Sequence, residues 1–140
     1  MSFEIVVIDA PDPAVREVIE PGLVGFNARA GAPTKFHPLG VLVRAVEGKV
    51  LGGLTGWTAW DWLFVQLFWL PEALRGAGLG SELLRRAEAE AKRRGCHAVW
   101  LDSFSFQAPE FYRKQGYEIF GVLDDYPPGH RRVFLKKTLV

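Results

Sequence analysis

A chain of 140 residues with 49% hydrophobic and 24% charged side chains has the size and composition of one folded domain, 1–140, with one core, which excludes a disordered chain. A formal net charge of +1 excludes the basic bias of a nucleic-acid binder and the acidic tail of a basic partner's ligand. A single cysteine, Cys96, excludes an internal disulfide and a four-cysteine zinc site, and no metal site is expected.

The opening MSFEIVVIDAPDP has no basic n-region and no long apolar h-region, so it does not read as a secretory signal. Residues 3–8 are rich in β-branched side chains and predict a strand, closed by Pro11 and Pro13. Residues 13–28 look helical through Val15, Val18 and Ile19, with a break expected at Pro21 and Gly22. A loop over 31–38 leads to two strands, 40–46 and 49–57, joined in a hairpin at Glu47-Gly48. Gly52 and Gly53 predict a bulge or close packing in the second. After a turn at Asp61, residues 62–70 run apolar, broken only by Gln66, as in a central strand buried on both faces. That run is the most apolar of the chain and is too short to span a bilayer, so a cytoplasmic protein with no membrane partner is expected.

The most regular helix covers 79–94, with Leu79, Leu83, Leu84, Ala87 and Ala91 as its apolar stripe. Lys92, Arg93 and Arg94 suit its negative end, and Gly95 stops it. A short strand over 98–101 and a short helix over 107–115, ended by Gly116, follow. Strands over 117–123 and 131–139 close the chain, joined by the turn-rich DDYPPGH. The order predicts an α/β (α+β) domain, a mixed sheet of about seven strands with helices packed on it. The apolar strand over 131–140 leaves a homodimer open.

The link from the apolar strand to the regular helix, Leu70-Pro-Glu-Ala-Leu-Arg-Gly-Ala-Gly-Leu-Gly-Ser81, places glycines at a helix start. Free N–H groups of a first turn and the helix dipole favour an anion there, and glycine lets a phosphate come close. Arg75 adds a cation. The turn has no lysine, which excludes the GxxxxGK[ST] motif, and Ser81 stands where GxGxxG needs its third glycine. What remains is Arg75-x-x-Gly78-x-Gly80, as compatible with an ordinary loop as with phosphate binding.

This motif resembles the Gln/Arg-x-x-Gly-x-Gly/Ala signature of the GNAT superfamily of acetyl-CoA-dependent N-acetyltransferases. A second GNAT pattern, Asn-x-x-Ala followed by Tyr and then Gly-Phe or Gly-Tyr at intervals of four, is matched by Ser105, Ala108, Tyr112, Gly116 and Tyr117. The resemblance covers essentially the whole chain and implies a GNAT-like domain that uses acetyl-CoA as cosubstrate. It implies that the backbone of Gly76, Ala77, Gly78, Leu79, Gly80 and Ser81 holds the CoA pyrophosphate. It also implies that Phe68, Trp69 and Leu70 pair with the pantetheine amides, with Ala108 bordering the cofactor and Tyr112 near the sulfur. Ser105 stands where the family has Asn, and Phe64 and Gln66 flank the place where many relatives carry a Glu base.

Acetyl transfer needs a neutral amine, a polarised carbonyl and a departing thiolate. A lysine-type amine titrates near ~10.4 and an α-amine near ~8, so a base or a water path is needed at neutral pH. Asp61, Asp102, Asp124, Asp125, His37 and His130 are candidates, with Asp102 and His130 ranked first. The phenol of Tyr112 is the candidate acid for the thiolate. Trp57, Trp60 and Trp62 read either as an aromatic wall for a cationic acceptor or as packing. The expected acceptor is a small-molecule or peptide amine. The alternatives are a non-catalytic acetyl-CoA-binding module on the same scaffold and, more remotely, a nucleotide-binding protein.

Overall fold

The computed structural model describes residues 1–140, whose contacts gather into two compact units, Met1–Thr34 and Lys35–Val140. The first holds one helix, α1 (Pro13–Arg29). Asp12 caps it by accepting the Ala14 N–H at 2.9 Å, and Pro13 takes the first helical position, where a missing N–H costs nothing. The break expected at Pro21 does not occur. Proline forfeits only its own N–H bond, and the helix runs on at either side of it. The strand expected over 3–8 does not form either, since Met1–Asp12 has no helix or strand. A β-rich pattern becomes a strand only with a ladder partner, and the unit Met1–Thr34 holds no strand to supply one.

The second unit contains β1 (His37–Arg44), β2 (Val50–Ala59), β3 (Trp62–Trp69), a 3-10 turn (Glu72–Leu74), α2 (Leu79–Arg93), β4 (Ala98–Phe104), α3 (Pro109–Lys114), β5 (Glu118–Asp124) and β6 (Arg131–Thr138). The six strands form one mixed sheet in the order β1-β2-β3-β4-β6-β5, in which only β3 and β4 run parallel. The strand 131–139 therefore lies between two others and offers no free edge. The edges are β1 and β5. No helix is long and apolar enough to cross a membrane.

The apolar stripe of α2 packs on one face of this sheet. Leu84, Ala87 and Ala91 meet Leu54, Leu63, Val99, Leu101 and Leu135, all nearly sealed from solvent. The side chains of β4 alternate accordingly: Val99, Leu101 and Ser103 are buried, while Trp100, Asp102 and Phe104 take the other face. Gly52 and Gly53 turn out to serve close packing. An added Cβ at Gly52 would lie 2.7 Å from the Trp69 carbonyl oxygen, and one at Gly53 2.5 Å from that of Val41.

The feature that creates a site is in β3. Its register against β2 slips, Thr55 opposite Leu67 but Gly56 opposite Val65, so that Gln66 is an extra, unpaired residue. Gly56 permits this, because a Cβ there would collide with the Phe64 carbonyl. The β3–β4 ladder runs from Trp62↔Ala98 to Val65↔Leu101 and stops at the bulge. Beyond it β3 stays with β2 as far as Gly53↔Trp69, and β4 stays with β6 as far as Phe104↔Arg132. The sheet forks. The strand expected to be buried on both faces along its length is buried at Leu63 and Val65 and exposed at Gln66, Leu67 and Trp69, because its second half has left its neighbour.

Candidate functional site

A cavity of about 440 Å³ opens at the fork. Phe68, Trp69 and Leu70 from the end of β3 form one wall. Arg75, Gly76, Gly78, Gly80 and Ser81 form a second, and Ala108, Phe111 and Tyr112 a third. Sequence reasoning named every one of these but Phe111. Ala77 and Leu79 belong to the same turn without lining the cavity. Ser105 lies away from it, tied to the start of β6: its N–H donates to the Arg131 carbonyl at 2.8 Å, and its Oγ accepts the Arg131 N–H at 3.0 Å.

The glycine wall is backbone chemistry. Gly76 and Gly78 hold φ of +84° and +80°, which favour glycine. Gly78 caps α2 with no side-chain hydrogen bond, and the first intrahelical bond is Glu82 N–H to the Gly78 carbonyl at 3.1 Å. The N–H groups of the first turn thus precede the helix's own ladder, and the dipole adds partial positive charge there. Arg75 folds back across the turn, its Nε donating to the Leu70 carbonyl at 2.8 Å. It braces the turn and lines the cavity.

The third wall is side-chain chemistry. Tyr112, 9% exposed, meets Phe68, Phe111 and Tyr117 edge to face at centroid distances of 6.3, 5.1 and 5.9 Å. Burial, with a smaller contribution from the Asp102 charge, pushes its hydroxyl up to about 12, so it keeps its proton throughout the neutral range. Gln115 Nε2 donates to Ser81 Oγ at 2.8 Å and ties the end of α3 to the start of α2.

The base candidates are scattered. Asp102 points to the face away from α2, where both its oxygens accept from Arg132, Nε and Nη2 each at 2.9 Å. Arg132 also lies within 5.5 Å of the Phe104, Tyr126 and Phe134 ring centres, and its bonds to Asp102 hold its proton more tightly still. In the β5–β6 loop, His130 stands edge-on to Phe106, and Asp124 faces Arg131 at 3.4 Å. Asp125 Oδ1 accepts the Gly129 N–H at 2.9 Å. His37 and Asp61 sit at the opposite end of β3, around a smaller cavity of about 210 Å³ with Lys35, Thr58, Arg94 and Cys96. Burial raises the Cys96 thiol, which disfavours the reactive thiolate. The three tryptophans share that far end. Trp57 packs between Phe36 and Phe64, and Trp62 against His97, and none of the three lines the fork cavity.

Glu88, Arg132 and Lys137 escaped sequence reasoning. One signal was there for Glu88: four residues after Leu84 and three before Ala91, it falls on the buried stripe of α2, where an acid needs a partner.

The sequence pattern of the Acetyltransferase (GNAT) family matches residues 12–117. An acetyltransferase of Agrobacterium fabrum is 37% identical over 136 residues, covering 96% of this chain and 98% of that protein. The blasticidin-S acetyltransferase of Streptomyces morookaense is 45% identical over 94 residues, 66% of this chain and 69% of that one. A crystal structure from Agrobacterium tumefaciens, assigned to the acetyltransferases, superposes with a TM-score of 0.91 at 35% identity, over 97% of this chain and 99% of the other. Solved chains that share only the fold, at 16% identity, hold acetyl-CoA or coenzyme A.

Proposed function

The chain belongs to the GNAT family of acetyltransferases, and from that premise we propose that it passes an acetyl group from acetyl-CoA to a primary amine by direct attack in a ternary complex. The observation that carries this reading is the fork: a cavity whose walls are a strand edge, an uncapped helix start and a buried phenol. Those are the three contacts that pantetheine amides, a pyrophosphate and a thioester sulfur call for. The unpaired edge of β3 from Phe68 to Leu70 pairs with the amides, and the N–H groups from Gly76 to Ser81 take the pyrophosphate. A backbone N–H of β3 beyond the bulge polarises the thioester carbonyl.

In the transfer the amine nitrogen attacks the carbonyl carbon, the C–S bond breaks and the sulfur leaves with the electron pair. Tyr112 donates a hydrogen bond to that sulfur. A thiol titrates near ~8.5, well below a phenol raised to about 12, so complete proton transfer from Tyr112 is uphill and its help is bounded. The amine loses its proton to water, because Asp102 is occupied by Arg132 on both oxygens. The similarity to a protein named for blasticidin S supports a small-molecule acceptor ahead of a peptide.

The test is release of free thiol from acetyl-CoA with a panel of amines that includes blasticidin S, polyamines and peptide N-termini, with the product weighed by mass spectrometry. Thiol release with acetylated amine is expected. Tight acetyl-CoA binding without turnover on any amine would replace this reading with a non-catalytic acetyl-CoA module, which the absence of a free carboxylate at the fork would then explain.

A further inference from the structure

We propose that Glu88, Tyr117 and the partly exposed Lys137 form a positioning network that sets where the Tyr112 hydroxyl stands in the cavity. The inference rests on the reading of Tyr112 as the donor to the sulfur.

Helix α3 has six residues, far fewer than the roughly twelve to fifteen at which an isolated helix becomes even marginal, so its placement must come from outside. Its end supplies the link. Gly116, at φ +94°, donates its N–H to the Arg113 carbonyl at 3.0 Å, and Tyr117 donates its N–H to the Tyr112 carbonyl at 3.1 Å. This is a Schellman closure, whose usual companion is a contact between the side chains at its two ends. Here that contact is the edge-to-face pair of Tyr112 and Tyr117, 5.9 Å between centroids. Tyr112 is therefore bound to Tyr117 twice, through backbone and through ring.

Tyr117 is in turn fixed from two other elements. Its hydroxyl donates to Glu88 Oε2 of α2 at 2.7 Å, and Lys137 Nζ of β6 donates to Glu88 Oε1 at 2.9 Å. Glu88 is 8% exposed and Tyr117 3%. Lys137 also lies 5.5 Å from the centre of the Tyr117 ring. Burial, then the bond to Glu88, raises the Tyr117 hydroxyl so that it remains the donor. A partly buried ion pair is a poor source of stability, since its Coulomb gain is offset by desolvation. What it supplies is direction. Two oxygens with two donors at fixed distances define one position for Tyr117, and the Schellman closure passes that position to Tyr112.

A double-mutant cycle on kcat, in single turnovers so that product release does not intervene, tests this. Tyr117→Phe keeps the ring and removes the bond to Glu88. In the native background it is expected to lower kcat by about fivefold, with acetyl-CoA affinity unchanged. In the Tyr112→Phe background it is expected to cost nothing, because no hydroxyl is left to position. An equal loss in both backgrounds means general loosening and overturns the proposal, as does no loss in either. If Tyr112→Phe alone leaves kcat intact, the donor reading fails first and takes the proposal with it, a signature unlike the other two. Lys137→Met, which spares the tyrosine hydroxyl's bond, is read in the same cycle against the same outcomes should Tyr117→Phe fail to fold.

Discussion

At its α2 end the cavity is walled by backbone, with Gly78 at φ +80°, a helix start without a side-chain cap, and Gly80 beside Leu70. At its α3 end it is walled by Tyr112, Phe111 and Ala108, and Tyr112 rests on Tyr117, whose hydroxyl bonds Glu88 of α2, itself bonded by Lys137 of β6. The first end needs only bare backbone, free of a Cβ. The second needs what other elements bring. A backbone site has room for a methyl at most and reports a larger addition in binding, whereas a side-chain site tolerates a change of one atom and reports it in rate.

The sharpest way to break the comparison is at Gly80. A Cβ built there would lie 3.5 Å from Phe111 Cζ and 3.9 Å from Leu70 Cδ1, ordinary contact distances. Gly80→Ala should therefore fold and bind acetyl-CoA nearly as the native chain does. Gly80→Leu has nowhere to put three more carbons except against Phe111 or in the cavity. Its acetyl-CoA Kd should rise by about a hundredfold, roughly 2.7 kcal/mol, with the melting temperature little changed. Calorimetry on the two variants checks this, and equal affinities would place the pyrophosphate elsewhere. Kd is the parameter to watch, since a backbone site binds before it catalyses.

Tyr112→Phe probes the other end. It keeps the ring among Phe68, Phe111 and Tyr117 and removes one hydroxyl. General acid catalysis is worth about a hundred- to ten-thousandfold, and a phenol held at about 12 belongs below that range. A fall in kcat of about tenfold, with acetyl-CoA affinity and melting temperature nearly unchanged, is expected. An unchanged kcat in single turnovers would make the ring packing alone.

The same contrast explains what was legible beforehand. Gly76, Gly78 and Gly80 stood out because a backbone site is written in consecutive residues, and the stripe of α2 because its period is local. Tyr112 was legible through its spacing from Ala108 and Gly116. The Glu88 network was not, since its partners lie 29 and 49 residues away and only the fold brings them together. Nor was the pairing of Asp102 with Arg132, whose ladder neighbours are set by a strand order that places β6 between β4 and β5. The fork depends on one extra residue, Gln66, and on Gly56 across from it, a register event that composition does not announce. Residues 3–8 misled for the converse reason: their local pattern is strong, and their own unit, Met1–Thr34, contains no strand.

The smallest expected effect lies outside the cavity, in the loop between β5 and β6. Its acids differ in their duties. Asp125, at φ +59°, holds the loop by accepting the Gly129 N–H, while Asp124 is exposed and 3.4 Å from Arg131. If the loop attracts the ammonium of an incoming acceptor, charge alone is at issue. Asn keeps an oxygen that can accept the Gly129 N–H, so replacing both acids with Asn removes two negative charges and leaves the turn its bond. Exposed charges act weakly and through salt-screened fields. The acceptor KM should rise by about threefold at low salt, with kcat and acetyl-CoA affinity held, and the difference from the native chain should shrink as ionic strength rises through about 0.15 M. An unchanged KM at low salt rejects the role. A rise that ignores salt would mean that the loop has moved, and the Gly129 N–H, followed by hydrogen exchange, would then lose its protection.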